Sequence, residues 1–357
     1  MIRIKPDSHS PDSVLKYPLA ARHSPLPQWA DYAGYALTVR TVLRAAASRR
    51  SAFATRAQAY VRFICTSLLL YVLRASAQEL EPRAYSPAPV GTNFIGLTYT
   101  HLGGQILTDP SLPVTDVQAG INSVSLGYLH IFDLAGSAAS LGLLAPFVSG
   151  DVSGNVFDSP NQIHRAGVGD LRVRFAMDLL GGPALTPDEF AHRVPDTVVG
   201  ASLTIVAPTG QYEPAHLINV GSNRWAFKPE FGISQPLGNW FAEVTAGVWL
   251  FTDNDSFAGN RRRSQAPLAV LQLHGGYTFR PGLWLAVDAG FFAGGATSVN
   301  GVRNDDRQDN SRFGVTLSIP ITRSWSAKLA ASKGVVVRAG GNYNAISLTL
   351  QYLWFNR

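Results

Sequence analysis

From about residue 90 onward, apolar and polar side chains alternate along the chain with a period of two. The clearest stretch is Gly169-Asp-Leu-Arg-Val-Arg-Phe-Ala-Met-Asp-Leu-Leu180. There Leu171, Val173, Phe175, Met177 and Leu179 share one parity, and Asp170, Arg172, Arg174 and Asp178 share the other. Successive side chains of a strand point to opposite faces, so a strand separates these sets where a helix would mix them. Phe313–Ile319 and Ile346–Trp354 repeat the pattern. The alternation predicts 12 strands: 92–100, 119–132, 139–150, 167–180, 196–208, 224–235, 239–252, 266–279, 283–294, 311–320, 324–337 and 344–355. Segments of roughly 9–11 residues with one apolar parity suit strands that cross a bilayer. The predicted fold class is all-β, a transmembrane antiparallel up-and-down β-barrel of about 12 strands over residues 92–355.

The connections follow a short–long rhythm. Residues 133–138, 236–238, 280–282 and 321–323 are short and carry Pro, Gly or Asp, as tight turns do. Residues 101–118, 151–166, 209–223, 253–265, 295–310 and 338–343 are mostly longer and polar. Outer-membrane barrels keep short turns on the periplasmic side and long loops outside. An even strand count then puts both termini in the periplasm. The long connection 181–195 breaks the rhythm and is expected to fold against the rim or reach into the barrel mouth. Trp225, Trp240, Trp249, Phe251, Trp284, Trp325 and Trp354 fall near strand ends, where interfacial aromatic girdles are expected. A soluble β-sandwich also alternates, but it would not account for a leader or for this loop rhythm.

A leader is predicted at residues 56–77. Arg56 and Arg62 precede the apolar run Phe63–Leu73, and Ala75-Ser-Ala77 follows it. Basic, then apolar, then small residues is the order of a secretory signal peptide, and the run is too short to span a bilayer as a helix. Cleavage is expected after Ala77, leaving 78–91 as a short periplasmic segment. Residues 1–55 are rich in Ala, Arg and Ser; they read as an N-terminal extension from a start codon set too far upstream, or as a long n-region.

Composition narrows the function. The sequence pI near 9.5 suggests a nucleic-acid partner, yet 11 of the 30 Lys and Arg lie in residues 1–77 with only three of the 24 acids. The remainder carries 19 basic and 21 acidic side chains, so no basic footprint for nucleic acid is left. Cys65 lies in the leader, so the mature chain has no thiol for a disulfide, a zinc site or a nucleophile.

Several stretches resemble a bacterial family known for the MetA pathway of phenol degradation, whose members are labelled transporters. They are Gly169-Asp-Leu171, Ala207-Pro-Thr-Gly-Gln-Tyr212, Leu217–Glu230, Ala246–Asn254, Val299-Asn-Gly-Val302, Asn310-Ser-Arg-Phe-Gly314 and Gln351-Tyr-Leu-Trp354. The resemblance implies an outer-membrane barrel near aromatic-degradation or sphingolipid loci, and it implies location more firmly than substrate. One departure is Phe355-Asn-Arg357, which extends beyond the aromatic residue expected to end the barrel-assembly signal.

With apolar parity outward, the inward set is Asp170, Arg172, Arg174, Lys228, Glu230, Glu243, Gln272, His274, Asp288 and Lys328. These are the candidate lumen residues. They either tune which solute passes or pair off and plug a narrow barrel. Arg261, Arg262 and Arg263 form an outer-loop run suited to phosphates of lipopolysaccharide, or a solvated charge run. His130 shares a segment with Ser123 and Ser125 but has the opposite parity, so a hydrolytic pair is not expected. No metal or cofactor motif is recognised. The expectation is an outer-membrane channel for passive or facilitated passage of small solutes, hydrophobic or aromatic ones in view. The expected partners are outer-membrane lipid, lipopolysaccharide, the barrel-assembly machinery and the solute. A non-transporting interaction barrel and, behind it, an outer-membrane lipid hydrolase are the alternatives.

Overall fold

The computed structural model describes residues 80–107, 114–156, 159–216 and 218–356. The readings for residues 1–77 lie outside these. The described chain is almost entirely strand: β1 Thr92–Leu107, β2 Val114–Leu134, β3 Ser137–Val156, β4 Ser159–Val168, β5 Arg172–Leu180, β6 Val198–Val206, β7 Ala226–Leu237, β8 Trp240–Phe251, β9 Asn254–Phe257, β10 Arg261–Gln265, β11 Leu268–Arg280, β12 Leu283–Gly294, β13 Thr297–Val299, β14 Val302–Arg303, β15 Gln308–Pro320, β16 Trp325–Val336 and β17 Gly340–Phe355. One short helix, α1, spans Pro187–Ala191. No helix among the described residues is long and apolar enough to cross a membrane.

Twelve of these strands form a closed antiparallel ring in the order β1, β2, β3, β5, β6, β7, β8, β11, β12, β15, β16, β17. Closure is made by β1 on β17, from Thr92↔Phe355 to Leu107↔Gly340. Closure leaves no strand edge unpaired in hydrocarbon, where an unsatisfied backbone group costs several kcal/mol. The alternation resolves as predicted. Leu97, Leu126, Phe147, Phe231, Val287, Phe313 and Leu348 face the lipid side, while their strand neighbours face the lumen.

Turn chemistry sets one end. Leu134 pairs with Ser137 across Ala135 and Gly136, whose φ values of 55° and 85° give the two-residue turn that matches strand twist. The Asp133 carboxylate accepts from the Gly136 N–H at 2.8 Å. The connection 181–195 folds against this rim: the Ala138 N–H donates to the Gly182 carbonyl, the Ala184 N–H to that of Gly136, and the Val90 N–H to that of Leu185. Within it, Thr186 and Glu189 cap α1 reciprocally.

Three of the segments read as loops, 151–166, 253–265 and 295–310, contain strands. Residues 151–166 hold the end of β3 and all of β4, which pair from Phe147↔Val168 to Val156↔Ser159. The predicted strand 167–180 is therefore interrupted at 169–171: β4 and β5 both pair with β3, one above the other. Over the loop end, β9, β10, β13 and β14 form a separate four-stranded sheet. The aromatic girdle also needs correction. Trp249 and Trp284 are buried inside, 4% and 6% exposed, and Trp249 and Phe251 line the lumen, because they share parity with Glu243 and Asp288. Trp240, Trp325 and Trp354 do lie in the outer wall at the turn end, and Tyr352 joins Trp325 and Trp354 with ring centroids at 4.9 and 5.8 Å.

Candidate functional site: the lumen

The candidate lumen residues fall into three polar groups and a fourth set at the loop end. On β5 and β7, the Lys228 ammonium donates to Glu230 at 2.8 Å and Arg174 stands 3.8 Å from the same carboxylate. On β11 and β12, His274 meets Asp288 at 2.7 Å and Gln272 at 3.2 Å, and the Thr316 hydroxyl donates to the second Asp288 oxygen at 2.8 Å. On β8, buried Glu243 accepts from the backbone N–H of Arg83. Lys328 stands over the Trp284 ring at 5.9 Å. Arg172 and Asp170 lie at the loop end, where Asp170 is bonded by the connection after β6: it accepts from the Gly210 N–H at 2.9 Å and the Ser222 N–H at 2.8 Å.

The sequence reading missed what these groups hold. Residues 80–91, read as a periplasmic lead-in, fold back from the turn-end rim into the barrel. At the rim, the Gly91 N–H donates to the Ile131 carbonyl. Deeper in, Tyr85 is 3% exposed and shares a hydrogen bond of 2.9 Å with Ser202. Its hydroxyl also reaches Glu230 at 3.3 Å. Its ring rests on Gly200 and Gly232, which are cross-strand partners on β6 and β7; a Cβ on Gly232 would overlap the ring. The Arg83 guanidinium lies 4.3 Å from the Phe241 ring and 5.0 Å from that of Trp284, and donates to Thr278 at 2.5 Å. The Glu81 N–H donates to Gln272 at 3.4 Å, and its buried carboxylate lies in the field of Lys228, Arg174, Arg172 and Lys328. Leu80, the innermost described residue, fits against Gly290 and Gly314. Buried charges are stable only when paired and hydrogen-bonded, and the inserted segment supplies partners to both Glu230 and Glu243.

Beyond Leu80 the lumen opens into a cavity of about 320 Å³. One side is apolar or small, with Leu102, Ile121, Leu144, Pro146 and Val148 from β1 to β3. Arg172 on β5 stands beside that wall as the cross-strand partner of Leu144, and the rest carries Arg224, Trp249, Asp288 and Arg312. The loop end is capped by residues 207–216 and 218–225, which dock on β9 through Tyr212, Asn254 and Ser222. Burial raises the Tyr212 phenol above its usual range. In the same cap the Arg261–Arg263 run is divided. Arg262 is exposed, and its hydrogen bond from Nε to Asp253, 2.6 Å, raises its pKa. Arg263 is buried against the Phe257 ring at 5.4 Å, and Arg261 is partly buried. Among the described residues no cluster of three or more His, Cys, Asp or Glu side chains could hold a metal.

A closed membrane-type barrel is the architecture the resemblance implied, and its short-turn end and inward polar set are those the alternation predicted. The model of the family described as "Putative MetA-pathway of phenol degradation" matches residues 100–350. The chain belongs to this family. Among solved structures, an outer membrane channel from Pseudomonas putida F1 is 25% identical, with 77% of this chain and 100% of that one covered at a TM-score of 0.65. The transport unit of the autotransporter AIDA-I from Escherichia coli is 9% identical at a TM-score of 0.43, covering 80% and 96%. A deletion mutant of the monoaromatic hydrocarbon channel TodX is 10% identical at 0.44, covering 75% and 91%. No curated protein matches the chain. The family and the 12-strand ring locate this protein in a bacterial outer membrane.

Proposed function

We propose that the protein is a narrow outer-membrane channel for passive or facilitated passage of small solutes, hydrophobic or aromatic ones among them. The carrying observation is a cavity inside a closed ring, with residues 80–91 lying between it and the turn end; within the barrel that segment is held mainly through side chains, and its backbone bonds at Val90 and Gly91 are confined to the rim, outside the strand ladder. Such a segment can leave without breaking the barrel. The Pseudomonas putida protein, similar along its whole length, is described as an outer membrane channel, which supports the reading. The apolar side of the cavity supports the hydrophobic or aromatic preference, since ligand pockets combine apolar lining with a few polar anchors.

A second reading is a barrel permanently stoppered by the same segment, favoured by the number of buried groups that the segment satisfies. Flux of matched sugars, carboxylates and aromatics into liposomes carrying the refolded barrel separates the two. Graded flux above protein-free liposomes supports the channel, and none for any solute supports the stopper. A contact with lipopolysaccharide phosphate from the arginine run would fall to Arg262, and would require it to leave Asp253. Recognition by the barrel-assembly machinery would use β17, whose outward residues Ile346, Leu348 and Leu350 lead to Tyr352 and Trp354.

A further inference from the structure

The charges around the upper cavity are not equivalent. Both oxygens of Asp288 are taken by His274 and Thr316, and both of Asp170 by Gly210 and Ser222. Arg224 donates to Gln265 at 2.5 Å and lies 4.2 Å from the Phe251 ring. Arg312 is 3% exposed, lines the cavity, lies 5.8 Å from the Tyr343 ring, and donates from one terminal nitrogen to Ser332 at 3.0 Å. Its Nε has no hydrogen-bond partner, and among the described residues no carboxylate lies within ion-pair distance of it. A buried guanidinium with an unused donor has a strong free-energy reason to meet an anion, because a buried charge is costly unless paired and charge-assisted bonds are the stronger kind.

On β1–β3 the cavity is lined by Leu102, Ile121, Leu144 and Val148 together with Thr100, Ser123 and Ser125, and the tip of Leu80 lies on the Arg312 side against Gly314. The cavity thus presents the Arg312 guanidinium together with aliphatic side chains from β1–β3, in a volume suited to a small molecule. We propose that it binds a small organic acid with an apolar body, its carboxylate on the Arg312 guanidinium and its ring or chain on β1–β3. This rests on the reading of the lumen as a solute path and names the substrate class for it. Sugars lack the apolar body and neutral aromatics lack the anion, so both bind more weakly. Arg172 and Arg224 are engaged within the protein but add positive potential around the same space.

The test is equilibrium dialysis of radiolabelled benzoate and of benzyl alcohol against the full barrel in nanodiscs, with empty nanodiscs as the blank. The two probes share a ring and differ in charge. The expected result is saturable benzoate binding at least about tenfold tighter than benzyl alcohol, the scale of one charged hydrogen bond. Arg312→Gln should remove that preference and Arg312→Lys should restore part of it. Both variants are checked for heat-modifiable mobility on gels. Equal binding of the two probes, tighter binding of the alcohol, or a preference that survives Arg312→Gln in a folded barrel overturns the proposal. Should Arg312→Gln fail to fold, the wild-type comparison of the two probes decides alone. Flux without benzoate binding overturns the site and leaves the channel; binding without flux supports the site and overturns the channel.

Discussion

The two halves of the lumen solve the same problem in different ways. The turn-end half is full: Tyr85, Arg83 and Glu81 fill it, and Glu230, Glu243 and Gln272 each take one partner from the inserted segment. The loop-end half keeps a cavity of about 320 Å³, and Asp170 there is bonded to the cap rather than to an inserted segment. Polar side chains in a barrel interior therefore do not by themselves mean a water-filled path. Whether they line a space or close it depends on whether a segment from elsewhere in the chain satisfies them.

That contrast can be broken by mutation. Glu230→Gln in the filled half leaves the Lys228 and Arg174 charges without their carboxylate, and is expected to cost about 3–5 kcal/mol, measured as a shift of the urea unfolding midpoint. In the open half, Ser347→Ala removes a small polar group facing free space and is expected to stay within about 0.5 kcal/mol. Equal losses would erase the difference between the halves. A smaller effect should follow from Gly232→Val, which drives a side chain into the Tyr85 ring. Overpacking of this kind costs about 1–3 kcal/mol, and here it can be relieved by releasing the segment, so single-channel conductance should rise while the barrel stays folded. Unchanged conductance would mean that Tyr85 does not hold the closure.

The smallest expected effect lies at the rim. The backbone N–H and hydroxyl of Thr186 both bond the Glu189 carboxylate and hold its pKa below the usual range. A depressed folded pKa gives a contribution present above the unfolded pKa of about 4.3 and lost as pH falls through the lower folded value. Amide exchange in α1 should therefore speed up, beyond its intrinsic pH dependence, only below about pH 4, with the strands unaffected. Loss of protection already at neutral pH would show that the cap contributes nothing.

Most of the barrel wall was legible because lipid imposes a binary choice at every second residue. Phe175 or Leu348 has one tolerable side, and repetition over 12 strands fixes parity even where ends slip by a few residues. Trp249 and Trp284 were misread from their nearness to strand ends; parity with Glu243 and Asp288 would have put them inside. The inserted segment left almost no local signal. Residues 80–91 have no periodicity, and their seats are glycines more than a hundred residues away, Gly200 and Gly232 for Tyr85 and Gly290 and Gly314 for Leu80. Inward glycines at one level on neighbouring strands are the trace that such a seat leaves, and they become visible only once register is known. The loop sheet was hidden for a related reason, since strands of two to five residues are too short to show alternation.

The most direct test of the central claim compares solute flux into liposomes carrying the mature barrel with flux through the same barrel lacking residues 80–85. If that segment closes the turn-end half, deletion raises flux of every small solute several-fold with the heat-modifiable fold retained. Equal flux through the two folded barrels would contradict the account, because the passage, or its absence, would then be set elsewhere in the lumen.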